Sequence, residues 1–326
     1  MRVVITGGLG FIGTNLTKYL LNKRVIKQII IIDKMTESNT SNLNSFCKFR
    51  FFSSSKQYRR SKDKVVVIKA NVLNKKFSED ILTKNDIVVH LAAESGVDIS
   101  ISQPEESFNV NVVGAFNYLN AGRVKKVKRF IFASSGAVFG NSKPPLTEKT
   151  TKGAISPYGS SKLTIESFCE TFSNVFKLRT TILRFSNCYG IFSENKNSVI
   201  SKFIKNINKG HVNYINGDGT QTRDFIYVDD LVDAIFRSFS DKPDFNDYNV
   251  STGKETSIRS LLEILKEIYL AYGKKVRVQY QKERVGDMKK NYSIPRKIKK
   301  NLNWTPKTNL LNGLRITSEW FLKNNR

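Results

Sequence analysis

The feature that most restricts what this chain can fold into is its opening, Thr6-Gly7-Gly8-Leu9-Gly10-Phe11-Ile12-Gly13, set directly after the run Arg2-Val3-Val4-Ile5. Gly7, Gly10 and Gly13 are spaced three and three apart. The pattern reads as a strand feeding a glycine turn and then a helix, with Ile12, Leu16 and Tyr19-Leu20 recurring on one helical face. Glycines allow the tight bend, keep Cβ atoms away from an approaching pyrophosphate, and let helix and strand pack closely. The free N–H groups at the helix start, around Phe11 and Ile12, then face the anion.

Glycine spacing alone is a weak signal, and the next stretch strengthens it. Val25 to Ile32 reads as a second strand, almost continuously apolar as a strand buried on both faces should be. It ends at Asp33, a carboxylate 20 residues beyond Gly13. That is near the spacing of an acid that accepts from an adenosine ribose 2′-hydroxyl. A 2′-phosphate would be repelled there, so the expected cofactor is NAD rather than NADP.

At 326 residues the chain has room for two domains, or for one large domain with a lobe of insertions. No apolar run is long enough to span a bilayer, and Met1 leads straight into the first strand. The protein is therefore expected in the cytosol, with no secretory leader and no membrane among its partners. Cys47, Cys169 and Cys188 are scattered and odd in number, which suits reduced thiols. His90 and His211 are the only histidines and lie far apart in sequence, so neither a histidine triad nor a multi-histidine metal site is expected. Lys and Arg outnumber Asp and Glu by 54 to 28, a net charge of +26. Such a field attracts polyanions, nucleic acid included. Yet the basic residues are dispersed and carry no nucleic-acid-binding signature, so they read as a solvated lysine-rich surface.

Further along, Val65 to Ile68, Asp86 to His90 and Phe130 to Ala133 read as strands, and Ser107 to Val124 as a long helix. The polar segment between Asp33 and Val65 reads as an exposed loop or short helix. Alternating buried strands and helices mean βαβ units, a parallel sheet and right-handed crossovers. The fold class is α/β: a Rossmann-type doubly wound parallel sheet with a smaller C-terminal α/β lobe. The expected division is a cofactor domain over 1–180, to which later segments return, and a substrate lobe over 181–326. Ligands then gather at the carboxyl ends of the strands, where Thr6, Asp33, Asn71, Ala92-Ala93 and Ser134-Ser135 all follow apolar runs.

The second informative stretch is Ser156-Pro157-Tyr158-Gly159-Ser160-Ser161-Lys162. Serine caps a helix, and proline takes the first helical position, where its missing N–H costs nothing. Tyr158 and Lys162 are four apart and share a helix face. An ammonium near a phenol favours the phenolate and is expected to lower its pKa from about 10. Tyr158 would then exchange a proton near neutral pH, with Ser135 holding the same substrate oxygen.

The glycine loop, His90-Leu91-Ala92-Ala93, Asn111-Val112-Val113-Gly114, Ser134 to Gly140, the Tyr158/Lys162 pair, Leu183 to Gly190 and Arg223 to Asp230 occur in that order. Together they resemble the extended short-chain dehydrogenase/reductase family, specifically its NAD-dependent nucleotide-sugar epimerases and dehydratases, over nearly the whole chain. The resemblance implies that Tyr158 deprotonates a sugar 4-hydroxyl while hydride passes from C4 to NAD. Lys162 lowers the tyrosine pKa and holds the nicotinamide ribose, and Ser135 shares the hydroxyl. It further implies cofactor contacts from Asn71, Val72, Leu91, Ala92, Ala93, Ser95, Asn111, Ser134 and Phe185. For the nucleotide sugar it implies Asn187, Tyr214, Arg223, Arg284 and Asp287, the two arginines suiting a diphosphate.

Dehydratases of the family carry Asp-Glu after the serine, to expel water from C5 and C6. Here Gly136 and Ala137 stand there and can supply neither acid nor base. A 4-epimerase acting on UDP-glucose/galactose or their N-acetyl forms is the expected activity. A 4-keto-sugar reductase or another oxidoreductase is the alternative, and a nucleic-acid-binding protein that kept the NAD fold a distant third. Phe139 stands where the family usually has tyrosine, Asn71 where it commonly has aspartate, and Asn291 falls near a position that controls room for an N-acetyl group. A homodimer through the helices near Ser107–Val124 and Pro157–Phe176 is expected by the same resemblance.

Overall fold

The apolar runs become strands buried on both faces, and they set the architecture. The computed structural model describes every residue except 37, 283–288 and 325–326. In chain order the strands are β1 (Arg2–Thr6), β2 (Gln28–Asp33), β3 (Arg50–Phe52), β4 (Val65–Lys69), β5 (Ile87–His90), β6 (Arg129–Ser135) and β7 (Thr180–Phe185). There follow β8 (Asn187–Tyr189), β9 (Val212–Asn216), β10 (Thr222–Arg223), β11 (Phe225–Tyr227), β12 (Phe245–Val250), β13 (Thr256–Ser257), β14 (Arg277–Gln281) and β15 (Lys290–Asn291).

Eight of these form one parallel sheet in the order β12-β7-β6-β5-β1-β2-β4-β3. Its side chains alternate between two cores. Val3, Ile5, Ile29, Ile31, Val65 and Val67 face one layer, and Val4, Ile30, Ile32, Val66 and Ile68 face the other. The first layer continues through Cys188, Tyr189, Ile226 and Tyr227 into the C-terminal half, where β8 pairs β11, β9 pairs β14, and β10 lies between β13 and β15. The strand order reverses between β1 and β5. A crevice opens at such a switch point, at the carboxyl ends of the strands.

The structure departs from the sequence reading in four places. The second strand starts at Gln28, not Val25. The chain is still turning at Val25, which is 46% exposed and whose carbonyl accepts from the Met1 ammonium at 2.6 Å. Asp86 belongs to the turn before β5, accepting from the Thr83 backbone N–H at 2.7 Å. The polar connection 34–64 contains a short helix (Ser41–Asn44) and the edge strand β3, paired to β4. Finally, the long helical run begins earlier, at Pro104, and widens to a π-helical segment over Asn109–Gly114 before ending at Lys125.

Candidate active site

The glycine turn is built by contacts that no side chain would permit. Gly7 has φ +65°, and a Cβ there would lie 2.8 Å from the backbone of Ala92. A Cβ on Gly13 would lie 2.5 Å from Gly8 Cα. The turn between β1 and the helix Phe11–Leu21 therefore presses against the start of the β5 loop, at the switch point. That helix has no acidic residue in its first turn, so its positive end is left for an anion. Asp33 closes the same turn: one carboxylate oxygen accepts from Leu9 N at 3.1 Å, the other from Met35 N at 2.9 Å and Ser38 Oγ at 2.8 Å. A cradle that a Cβ would fill, an open helix N-terminus and a carboxylate at the end of β2 fit a dinucleotide.

The loop after β5 is held from behind. Asn111, 1% exposed in the π-helical segment, accepts from Glu94 N at 2.8 Å. Its amide donates to Glu94 O at 3.1 Å and to Ser107 Oγ and Ser161 Oγ, both at 3.2 Å. Its side chain thus positions Leu91-Ala92-Ala93 and Ser95 while being occupied by protein groups. Asn71 is exposed and caps Leu73 N at 3.0 Å, and buried Val72 fills the space beside Gly114. His90 is fully buried with Nδ1 2.9 Å from Thr6 Oγ1. Burial, reinforced by the Lys162 charge, drives its pKa down to about 3, so it stays neutral.

Ser135, Tyr158 and Lys162 converge at the end of β6. Ser156 caps the helix Pro157–Phe176 as its sequence predicts, accepting from Gly159 N at 3.1 Å, with Pro157 at the first position. This places the Tyr158 hydroxyl near Ser135, whose Oγ accepts from Ala137 N at 3.2 Å. Lys162 is 3% exposed and its Nζ donates to Ala133 O at 2.9 Å, 5.8 Å from the Tyr158 ring centroid. The expected lowering of the phenol pKa is not found. Burial pushes Tyr158 up, and Ser135 opposes it only in part. Lys162 moves the other way: burial lowers its ammonium to about 8 against the pull of Glu166.

Glu166 is the residue that the sequence reading missed. It lies one turn beyond Lys162 and is 2% exposed. Its Oε1 accepts from Ser134 Oγ at 2.5 Å, and Arg184 grips both of its oxygens at 2.8 Å. Arg184 also reaches Asp247 at 2.7 Å, and Asp247 takes Lys297 at 2.6 Å. Only the four-residue interval from Lys162 hinted at it. Lys196 was also missed: it stands over the Phe11 ring at 5.4 Å to the centroid, with its pKa lowered by burial.

On the substrate side, Asn187 is exposed at the start of β8, close in chain to half-buried Phe185 at the end of β7. Tyr214 is 49% exposed on β9, and Arg223 lies on β10 in register with Asn291. Arg284 and Asp287 fall outside the described residues. Asn291 reaches the loop that follows Ser135: a Cβ on Gly136 would lie 3.6 Å from its Oδ1. Phe139 is 1% exposed with the Arg184 guanidinium 5.3 Å from its ring, so it faces the core. Two acids of the Arg223–Asp230 motif are structural. Asp224 accepts from Thr252 and Gly253, and Asp230 from the backbone of Lys307 and Thr308. Cys188 is buried and its thiol is pushed up to about 12, which leaves it inert.

Comparison with known proteins places this geometry. The family model described as GDP-mannose 4,6 dehydratase matches residues 4–317. A "Putative UDP-glucose 4-epimerase" of Methanocaldococcus jannaschii is 33% identical over 331 residues, covering 99% of each chain. The crystal structure of UDP-glucose 4-epimerase from Thermotoga maritima with UDP-glucose superposes with a TM-score of 0.88 at 30% identity, over 100% of both chains. A dTDP-glucose 4,6-dehydratase from Streptomyces venezuelae with NAD bound gives 0.87 at 25% identity, over 100% of this chain and 98% of that one. The glycine cradle, the Ser135–Tyr158–Lys162 group and these whole-chain matches make the protein an enzyme of the GDP-mannose 4,6 dehydratase family, among the extended short-chain dehydrogenase/reductases that act on nucleotide sugars.

Proposed function

We propose that the enzyme uses NAD to interconvert the C4 epimers of a UDP-sugar, glucose/galactose or their N-acetyl forms. The observation that carries this reading is the pair Gly136-Ala137 directly after Ser135, beside an otherwise complete Ser135–Tyr158–Lys162 group. Elimination of water needs an acid and a base there. The backbone has room for a side chain at Gly136, the nearest atom to a Cβ being Asn291 Oδ1 at 3.6 Å. The missing acid is therefore a property of the sequence and not of crowding. The two relatives named as UDP-glucose 4-epimerases support the same branch.

Gly7, Gly10, Gly13 and the first turn of the helix Phe11–Leu21 would hold the NAD pyrophosphate, Asp33 a ribose, and Lys162 the nicotinamide ribose. Bound NAD would supply the hydride acceptor and donor. Tyr158 sits at the second position of its helix, where the macrodipole favours the phenolate. The Lys162 ammonium one turn away acts in the same sense. Tyr158 takes the proton of the sugar 4-hydroxyl as C4 becomes a ketone, while Ser135 donates to the same oxygen. The ketone turns over, and Tyr158 returns the proton when C4 is reduced on its other face. Asn187, Tyr214 and Arg223 hold the nucleotide and diphosphate.

The test is incubation of the purified protein, without added cofactor, with UDP-glucose, UDP-galactose and their N-acetyl forms, followed by proton NMR. Formation of the 4-epimer, abolished by Tyr158→Phe, is the expected result. Turnover only with stoichiometric consumption of nicotinamide cofactor would replace the epimerase by a reductase.

A further inference from the structure

Lys162 and Arg223 account for little of the net charge of +26, and the fold shows where part of the rest goes. All eight strands of the main sheet are parallel, so all begin at one edge, opposite the active site. Each is entered through a cation. Exposed Lys242, Lys177, Lys128, Lys84, Lys27, Lys64 and Lys48 precede β12, β7, β6, β5, β2, β4 and β3, and the Met1 ammonium precedes β1. The loops are tied side by side through Lys27 N to Met1 O (2.7 Å), Ile29 N to Lys64 O (2.8 Å) and Lys128 N to Asp86 O (2.8 Å). At about 4.8 Å between strands the row is roughly 34 Å long.

Local structure explains only part of this row. Lys84, Lys128 and Lys177 follow helix C-termini, whose dipoles favour cations, and the Lys64 ammonium donates to Ile26 O. Lys27 and Lys64 stand directly before strands, and sheets have little dipole to offset. Of the neighbouring acids, exposed Asp63 and Asp80 stay in the row and are outnumbered by its cations, and three others are occupied. Asp86 is buried against Arg2 at 2.6 Å, Asp241 is buried under Tyr248, and exposed Asp244 pairs with Arg179 at 3.1 Å. Among the described residues Lys27, Lys64, Lys84 and Lys128 make no ion pair. Attraction of the anionic substrate does not account for the row either. It lies a strand length, about 17 Å, from the carboxyl ends, beyond the Debye length of about 8 Å at physiological salt.

We infer, against the sequence expectation of no membrane partner, that this edge is a docking surface for an anionic membrane, on which the enzyme rests with its active site facing away; no helix among the described residues is long and apolar enough to cross it. Lysine supplies hydrated point charges without the fork geometry of arginine, which suits mobile headgroups more than base edges. Exposed aliphatics are set among the cations, Val25 between Arg24 and Lys27 and Val124 beside Lys125, at 46% and 50% exposure. An interfacial surface takes up such residues, and a phosphate backbone does not. The edge consists of short loops, with no helix projecting to enter a groove.

The inference stands apart from the reaction proposed above. The test is flotation of the full-length enzyme at 0.15 M salt with phosphatidylcholine vesicles containing roughly 30% phosphatidylserine, a fraction chosen to mimic an anionic leaflet. The variant K27E/K64E/K84E/K128E is compared with K149E/K202E/K299E/K323E, which carries the same charge change elsewhere. Wild type and the second variant are expected to float, and the first to lose at least tenfold in binding. None should bind pure phosphatidylcholine. A glutamine series at the first four positions, checked by thermal melting, separates lost binding from misfolding. Absence of flotation by wild type, or equal loss in both variants, overturns the inference. So does duplex DNA that binds through these lysines more tightly than the vesicles do at the same salt.

Discussion

The Tyr158 hydroxyl is the group on which the proposed chemistry turns, and the free enzyme keeps it protonated, since burial disfavours the phenolate more than Ser135 favours it. The cation that must shift this balance is Lys162. Around its Nζ stand Tyr158 and Glu166 from its own helix, neutral His90 from β5, and the end of β6 with Ala133 O. Its charged form is the useful one, and its pKa lies at about 8. Activity is therefore expected to be present below that value and to fall as pH rises through it. Glu166→Gln removes the carboxylate that favours the ammonium, so the alkaline limb of kcat/KM should move to lower pH. A limb that stays in place while activity drops uniformly would make Glu166 a purely structural residue. Tyr158→Phe should lower kcat by about two to four orders of magnitude, with Kd for the nucleotide sugar little changed. Measured binding by calorimetry separates the two.

At the scale of elements, the glycine turn and the capped helix Pro157–Phe176 hold the site. Gly13→Ala puts a methyl 2.5 Å from Gly8 Cα, and overpacking of this kind costs about 1–3 kcal/mol. Because the displaced atoms belong to the proposed pyrophosphate cradle, co-purifying NAD should be lost before the fold is. Release of nucleotide on denaturing the purified variant reads this directly, and undiminished NAD would contradict it. Ser156→Ala should cost about 1 kcal/mol of stability, seen as a lowered Tm, and loosen Tyr158 two residues on. These elements were legible in the sequence for identifiable reasons. Val3–Ile5, Ile29–Ile32 and Val65–Ile68 are apolar on both faces, and Ser156-Pro157 is a start signal with a mechanism. Edge strand β3 was not legible, because Arg50-Phe51-Phe52 lies in a polar segment and is only three residues long. The widened turn at Asn111 was hidden as well, since its cause is tertiary: the amide answers Glu94 and Ser161, distant in sequence. Glu166 was invisible for the same reason, its partners Ser134 and Arg184 lying on strands β6 and β7, distant in sequence.

For the whole molecule, the helices beside the site leave an apolar face that one chain does not cover. Ile101, Phe108 and Phe168 are 63%, 55% and 38% exposed. They lie on the helices Val97–Ser102, Pro104–Phe108 and Pro157–Phe176, which pack against one another. Large exposed apolar side chains grouped in this way mark an interface, and a second copy of the chain is the occupant expected from the sequence. Light scattering should give twice the chain mass of 37.1 kDa, with an interface on the order of 1,200–2,000 Å². Ile101→Glu combined with Phe108→Glu should yield a monomer, since two like charges would be buried unpaired at its centre. That monomer should still bind NAD and keep activity within a few-fold, because Ser135, Tyr158, Lys162 and Glu166 all come from one chain. A wild-type monomer in solution would remove the interface altogether, whereas a dimer that survives both substitutions would move it to another face.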